Sequence, residues 1–293
     1  MRPAPFAYIR VDSVSAAVQA LAEYGEDARL LAGGLSLVQM LNSRRLRPRH
    51  VIDVSRIEEL NYIRPHGGGL MIGATTRQRS VEQSALVQSH CPLLHEAIKH
   101  VGYVRIRNQG TIGGCLALAD PLAELPAVAL AAGARLHISG PAGERIVDAD
   151  AFFGDGMTTC MARDELLLAV EFPAWAGGST SAFREFNNNG SGYAIVGAAA
   201  MLSLDAAGVV QRLGLGLMGV AARPFNAGPV AAAVIAGRVP NALALREAAD
   251  AVAAAIDPAS DLLGPAAYRR HLARTLTLET LSEAAERVVS QAH

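Results

Sequence analysis

Lysine is all but missing from this chain: Lys99 is the single one, and 26 basic residues set against 27 acidic ones leave a formal charge of −1. There is no basic run beyond Arg44-Arg45-Leu46-Arg47, which reads as a helix-end cap, so a polyanionic partner such as nucleic acid is excluded. Cysteine is equally scarce. Cys91, Cys115 and Cys160 lie far apart with no C-x-x-C spacing. Alone they cannot ligate an iron–sulfur cluster or a structural zinc, which take about four clustered ligands. They read as free thiols in a reducing compartment, and Cys115 stands apart only because it follows Gly114. No apolar run approaches the roughly 18 residues of a membrane helix, and Met1–Phe6 lacks a signal-type apolar region. The prediction is a soluble, cytoplasmic protein.

Catalytic constellations are lacking too. Gly34-Leu35-Ser36-Leu37-Val38 has no closing glycine for a hydrolase nucleophile elbow. His90, His95 and His100 recur every five residues, which spreads them around a helix, so they read as structural or surface groups and not as metal ligands.

Two glycine-bearing segments stand out instead: Leu30-Leu31-Ala32-Gly33-Gly34-Leu35-Ser36-Leu37, and Arg107-Asn108-Gln109-Gly110-Thr111-Ile112-Gly113-Gly114. Without a Cβ the backbone can approach an anion, and N–H groups plus a hydroxyl supply donors, so each reads as a phosphate cradle. Two cradles predict a long ligand held at two places. The first has the strand–loop–helix context that phosphate binding needs, with a strand over 28–31 and Leu37, Met40 and Leu41 at helical spacing behind Ser36. A third candidate is a decoy. Gly214-Leu215-Gly216-Leu217-Met218-Gly219 matches G-x-G-x-x-G but lies in an apolar run followed by Arg223-Pro224, so it reads as a glycine-rich strand approached closely by another element.

At 293 residues the chain is long enough for two domains. Strands are predicted over 50–54, 70–73, 134–138 and 165–172, with helices over 77–88, 93–101 and 122–132, the last opened by Pro121 with Glu124 in its first turn. Trp175-Ala176-Gly177-Gly178-Ser179 reads as a linker. An extended stretch over 182–186, a turn at 187–192 and strands over 193–204 and 209–220 follow, the last two joined at Asp205-Ala206-Ala207-Gly208. Helices over 241–256, 265–273 and 276–291 complete the chain.

Several separated motifs occur in an order that resembles one family. The Ala32–Leu37 loop, Ile106–Gly114, Ala119-Asp120-Pro121-Leu122-Ala123-Glu124-Leu125-Pro126, Asp164-Glu165-Leu166-Leu167, Phe183-Arg184-Glu185-Phe186, Tyr193-Ala194-Ile195-Val196, and Asp261-Leu262 with Tyr268-Arg269-Arg270-His271-Leu272 are similar to the FAD-binding medium subunit of the molybdenum hydroxylases. That is the xanthine dehydrogenase and carbon monoxide dehydrogenase family, and the resemblance spans nearly the whole chain.

The resemblance implies an α+β fold of the FAD-binding vanillyl-alcohol-oxidase (PCMH) type. Its FAD domain would cover residues 1–174, in subdomains of about 1–55 and 56–174. A C-terminal domain of antiparallel sheet and helical bundle would cover 179–293. It also implies that Ala32, Gly33, Gly34, Leu35, Ser36 and Leu37 wrap the pyrophosphate of FAD, with Thr111, Ile112, Gly113, Gly114 and Cys115 as the second wall. Glu124 would bind ribityl or ribose hydroxyls, Leu167 and Arg184 would line the flavin, and Tyr193 would cover one face of its ring. The plainer readings are a helix-terminal acid, a surface cation and a core aromatic for Glu124, Arg184 and Tyr193. Leu35 and Leu118 stand where the family often has polar residues (Gln, and His before Ala119-Asp120-Pro121), and Cys115 where Asn or Ser is frequent.

On this resemblance the chain is the electron-transfer subunit of a larger oxidoreductase. A small subunit with [2Fe–2S] clusters and a large molybdopterin subunit would be its partners, in an (LMS)2 heterohexamer. The alternatives are a stand-alone flavoprotein oxidoreductase and a scaffold subunit that has lost FAD. No catalytic residue is expected on this chain, because the electron chemistry belongs to the cofactor. Tyr193 over the ring would disfavour a nicotinamide acceptor relative to a quinone, a protein or oxygen.

Overall fold

The structure, a computed structural model, describes residues 2–175, 177–188 and 192–291. Ala176 of the expected linker and Asn189, Gly190 and Ser191 of the expected turn lie outside the described residues. Three sheets follow one another along the chain. The first is parallel, with β1 (Ala7–Arg10), β2 (Ala28–Leu31) and β3 (His50–Asp53) in the order β1-β3-β2. Helices α1 (Val14–Tyr24) and α2 (Leu37–Asn42) make the crossovers that parallel pairing requires. Ser13 caps α1 by accepting from the Ala16 N–H at 3.2 Å, and Ala17, Leu21, Ile52, Val54, Ile57 and Leu60 form a small core. Neither β1 nor α1 was anticipated from the sequence.

The second sheet is antiparallel, in the order β4-β5-β10-β6-β7, from β4 (Ile63–His66), β5 (Gly69–Gly73), β6 (Arg135–Gly140), β7 (Gly143–Asp148) and β10 (Leu166–Phe172). A short hairpin, β8 (Phe153–Gly154) with β9 (Thr158–Thr159), and helix α9 (Ala149–Phe152) precede its central strand. Side chains alternate across the sheet, and Leu70, Ile72, Leu136, Ile138, Val170 and Phe172 face one core. That core is covered by α3 (Gln78–Gln83), α4 (Ala85–His90), α5 (Pro92–Ala97), α6 (Val104–Gln109), α7 (Ile112–Leu118) and α8 (Glu124–Ala132). The helix predicted over 77–88 is two, because Ser84 leaves helical geometry and accepts from the Val87 N–H to cap the second.

Helix α8 begins at Glu124, two residues later than predicted. Asp120 accepts from the Leu122 N–H at 2.9 Å and the Ala123 N–H bonds the Asp120 carbonyl, so these residues make a turn before the helix.

The third sheet, in the order β11-β12-β13-β14, comprises β11 (Thr180–Phe186), β12 (Val196–Leu204), β13 (Val210–Met218) and β14 (Phe225–Asn226). Phe183, Ala199, Met201 and Met218 point back into the core of the second sheet. Ala182, Ala198, Ala200, Leu215 and Leu217 point the other way, onto α10 (Gly228–Ile235), α11 (Ala242–Ala255) and α12 (Ala266–Gln291). The two helices predicted over 265–273 and 276–291 are this one helix: neither Arg274 nor Thr275 between them is a breaker.

The decoy glycines have a packing role. A Cβ on Gly214 would lie 1.9 Å from the Ala131 carbonyl oxygen, and one on Gly216 would lie 2.0 Å from that of Ala127. The missing side chains let the backbone of α8 lie directly on β13.

Candidate cofactor site

The first glycine segment leaves the carboxyl end of β2, where open α/β sheets place ligands. Gly34 has φ +78°, a left-handed conformation that turns the chain sharply toward α2. Among the described residues, the backbone N–H groups of Gly33, Gly34, Leu35 and Ser36 donate to nothing, and the Ser36 side chain makes no capping bond. Four amides and a hydroxyl are thus free on one short loop.

The second segment is built differently. It is helix, glycine, helix: α6 ends at Gly110 and α7 starts after Thr111, whose hydroxyl accepts from the Gly114 N–H at 3.1 Å. The Ile112 N–H goes to the Thr76 carbonyl, that of Gly113 to Ala74, and that of Cys115 to Thr111. Nearly every amide here is therefore consumed, and the segment acts as a wall, with the donors on its partner loop. A Cβ on Gly113 would sit 2.5 Å from that of Ala74, so its glycine serves helix-to-strand packing.

The two segments meet. A Cβ on Gly33 would fall 2.3 Å from the Gln109 carbonyl oxygen and 3.1 Å from the Gly110 Cα. That carbonyl is held by a hydrogen bond from the Arg77 guanidinium, so it cannot swing away. Gly33 is thus needed for loop-on-loop contact, a constraint that adds to the expected approach of a phosphate.

Beyond the second segment the track continues to Glu124, at the first position of α8. Burial pushes this half-buried carboxyl up to about 7, and the nearby Glu185 and Asp120 carboxylates act in the same direction while His100 opposes them. Cys115 lies beside it, its thiol held protonated by burial and by Glu124 and Asp120. Tyr193 is 66% exposed and close enough to feel Asp120, Cys115 and Glu124, so its ring is free to cover a ligand.

Two expected lining residues sit elsewhere. Leu167 is buried in the hydrophobic core. Arg184 is on the wrong face of β11. Strand alternation sends Ala182 and Arg184 toward α12, where the Arg184 Nε donates to Glu283 at 2.8 Å and a second carboxylate, Glu279, lies 3.9 Å away. Its neighbour Glu185 points into the junction instead and meets His100 Nδ1 at 3.5 Å. Sequence reasoning assigned neither Glu185 nor His100 to the site, and Ala182–Phe186, with Arg184 and Glu185 adjacent, carries no alternation that fixes the strand phase.

Comparison with known proteins identifies the family of the chain. Residues 4–175 match the family described as the FAD binding domain in molybdopterin dehydrogenase, and residues 181–284 match the CO dehydrogenase flavoprotein C-terminal domain. The chain belongs to the FAD-binding medium-subunit family of the molybdenum hydroxylases. It is 34% identical to the glyceraldehyde dehydrogenase medium chain of Sulfolobus acidocaldarius, covering 97% of this chain and all of that one. It is also 34% identical to the carbon monoxide dehydrogenase medium chain of Hydrogenophaga pseudoflava, over 97% and 98% of the two chains. A solved structure of the enzyme from that organism superimposes with a TM-score of 0.94 at 36% identity, covering 98% of this chain and 99% of the other. Quinoline 2-oxidoreductase from Pseudomonas putida 86 gives 0.92 at 31% identity, covering 98% of this chain and 99% of that one.

The medium-subunit family binds FAD, and the residues fit it. Free amides on the Gly33–Ser36 loop suit a pyrophosphate, a carboxyl at Glu124 suits sugar hydroxyls, and the exposed Tyr193 ring suits a flat isoalloxazine. FAD is the cofactor of this chain, which is an oxidoreductase subunit. Among the described residues no helix is long and apolar enough to cross a membrane, and no cluster of His, Cys, Asp or Glu could hold a metal ion.

Proposed function

We propose that this chain is the electron-transfer subunit of a molybdenum hydroxylase, receiving electrons from [2Fe–2S] clusters on a small partner and delivering them to an external acceptor. The observation that carries the reading is end-to-end similarity to chains named as medium chains, 97% to 98% of both lengths for the Hydrogenophaga pseudoflava relative. FAD supplies the redox chemistry. The Gly33–Ser36 amides and the Ser36 hydroxyl bind its pyrophosphate against the wall formed by Thr111–Cys115. Glu124 accepts from its sugar hydroxyls, and Tyr193 screens its ring from water. We place the FAD domain at 1–174 and the C-terminal domain at 179–293, and the partners in a cytoplasmic (LMS)2 heterohexamer with a large molybdopterin subunit.

The test is anaerobic mixing of the FAD-loaded chain with its reduced [2Fe–2S] partner, following flavin absorbance. Rapid bleaching by that partner, with no turnover of small aldehydes or N-heteroaromatics by the chain alone, is the expected result. Turnover by the chain alone would overturn the proposal in favour of a stand-alone flavoenzyme.

A further inference from the structure

The junction between the second and third sheets holds ionisable groups that electron transfer alone does not require. The His100 Nδ1 lies 3.5 Å from Glu185 Oε1, and the Asn187 side-chain amide donates to that same oxygen at 3.0 Å. Glu185 is 5% exposed at its side chain, and its second oxygen is buried with no hydrogen-bond partner among the described residues. His100 packs against the Phe183 ring, 5.1 Å between centroids, and its helical turn packs on α8, which carries Glu124. A carboxylate oxygen buried without a donor is costly unless a proton or a ligand hydroxyl serves it.

We propose that Glu124, positioned beside the His100–Glu185 pair, takes up a proton from solvent when the FAD of this chain is reduced, and returns it on reoxidation. The inference rests on FAD being seated along the Gly33–Cys115–Glu124 track. Two electrons come from a reduced donor, the iron–sulfur partner in the assembly or a chemical reductant in vitro. One proton joins the flavin, a second joins the Glu124 carboxylate, and both leave when an acceptor withdraws the electrons. Negative charge arriving on the ring is thereby offset locally.

The groups facing Glu124 are Asp120 in its own turn, Cys115 on α7, His100 after α5, Glu185 on β11 and Tyr193; His100 also feels Glu96. Two carboxylates, Glu185 and Asp120, against one imidazole bias Glu124 toward protonation, and burial, the largest influence, already holds it near 7, where a further negative charge changes its occupancy most. His100 and Glu185 are positioning residues. The Glu185 carboxylate raises the His100 pKa, and the pair shapes the field at Glu124.

The test is the pH dependence of the flavin midpoint potential in the FAD-loaded full-length chain, read as protons taken up per two electrons. Redox-difference infrared spectra of the carboxyl region supply a second readout. Wild type is expected to take up on the order of half a proton more than Glu124→Gln near pH 7.5, and to show a protonated-carboxyl band on reduction that Glu124→Gln lacks. Glu185→Gln should move the pH at which the extra uptake is centred, and Glu185→Asp should restore it. Flavin content and complete bleaching in each variant report on the FAD site independently. Identical proton counts in wild type and Glu124→Gln, with flavin bound in both, would overturn the inference and leave the cofactor assignment standing. Failure of wild type to bind flavin would overturn that assignment.

Discussion

Gly33 and Gly34 are neighbours in sequence but answer to different physical constraints, and substitution separates them. Gly33→Ala drives a methyl group into a carbonyl pinned by Arg77, so the two segments must part. Gly34→Ala meets only the ends of Leu31 and Val38 side chains, 3.2 and 3.3 Å away, and incurs the left-handed φ, about 1 kcal/mol. Flavin absorbance per polypeptide is expected to fall at least about tenfold in Gly33→Ala and no more than about fivefold in Gly34→Ala, as 1 kcal/mol is about a factor of five. Glu124 makes a pH-dependent prediction. Its folded pKa is raised to about 7, so the folded state holds the proton that the unfolded chain releases near pH 4.5, and stability falls as pH rises between these values. Glu124→Gln should stabilise the flavin-free chain by about 1–3 kcal/mol at pH 8, with the gain vanishing near pH 4, by urea midpoints. The same variant should hold FAD less tightly. Residue-level chemistry was legible only as a backbone constraint at Gly33, Gly34 and Gly113, and the close packing of Gly33 on Gln109 and of Gly113 on Ala74 was not read. It was illegible where strand phase decided, since Arg184 and Glu185 differ by one position and face opposite layers.

Helix α8 brings these residues into one arrangement. It is apolar all round, with every residue from Leu125 to Ala132 buried, because β12 and β13 of the third sheet cover one side and α5, α7 and α9 pack around the rest. Gly214→Ala or Gly216→Ala would push the helix off the third sheet, and each is expected to lower stability by about 2–4 kcal/mol and to displace Glu124, lowering flavin content. Gly208→Ala, with φ +75° and open space around it, is the comparison at about 1 kcal/mol. Thermal midpoints rank the three. The strand predicted over 28–31 coincides with β2, and the turn at Asp205–Gly208 forms with its Asp205 N–H bonded to the Val209 carbonyl. The division of 77–88 was hidden because a serine inside a helical pattern reads the same whether it points to solvent or caps a new helix.

At the scale of the molecule, Arg269 is the hub that fixes the far end of the track. Its buried guanidinium donates to the Ile195 carbonyl at 2.6 Å, to that of Gly219 at 3.0 Å, and to both oxygens of Asp261 at 2.7 Å. The Gly219 N–H in turn bonds the Pro121 carbonyl, so one side chain ties α12 to the segment after Tyr193 and to the turn before Glu124. Arg269→Met leaves buried carbonyls unpaired. It should cost about 2–4 kcal/mol and loosen the Tyr193 segment, seen as faster amide exchange at Ala194–Val196. Asp261 and Arg269 were part of the family resemblance read from the sequence, but their bidentate pairing across a helix start was not. The seating of α8 on Gly214 and Gly216 has a practical consequence for recombination among relatives. The stretch matching the FAD domain ends before the strand its own helix rests on. A chimaera joined near Trp175 would therefore inherit a ridge from one parent and a groove from the other, and only crossovers that carry 124–132 together with 210–218 should yield yellow protein.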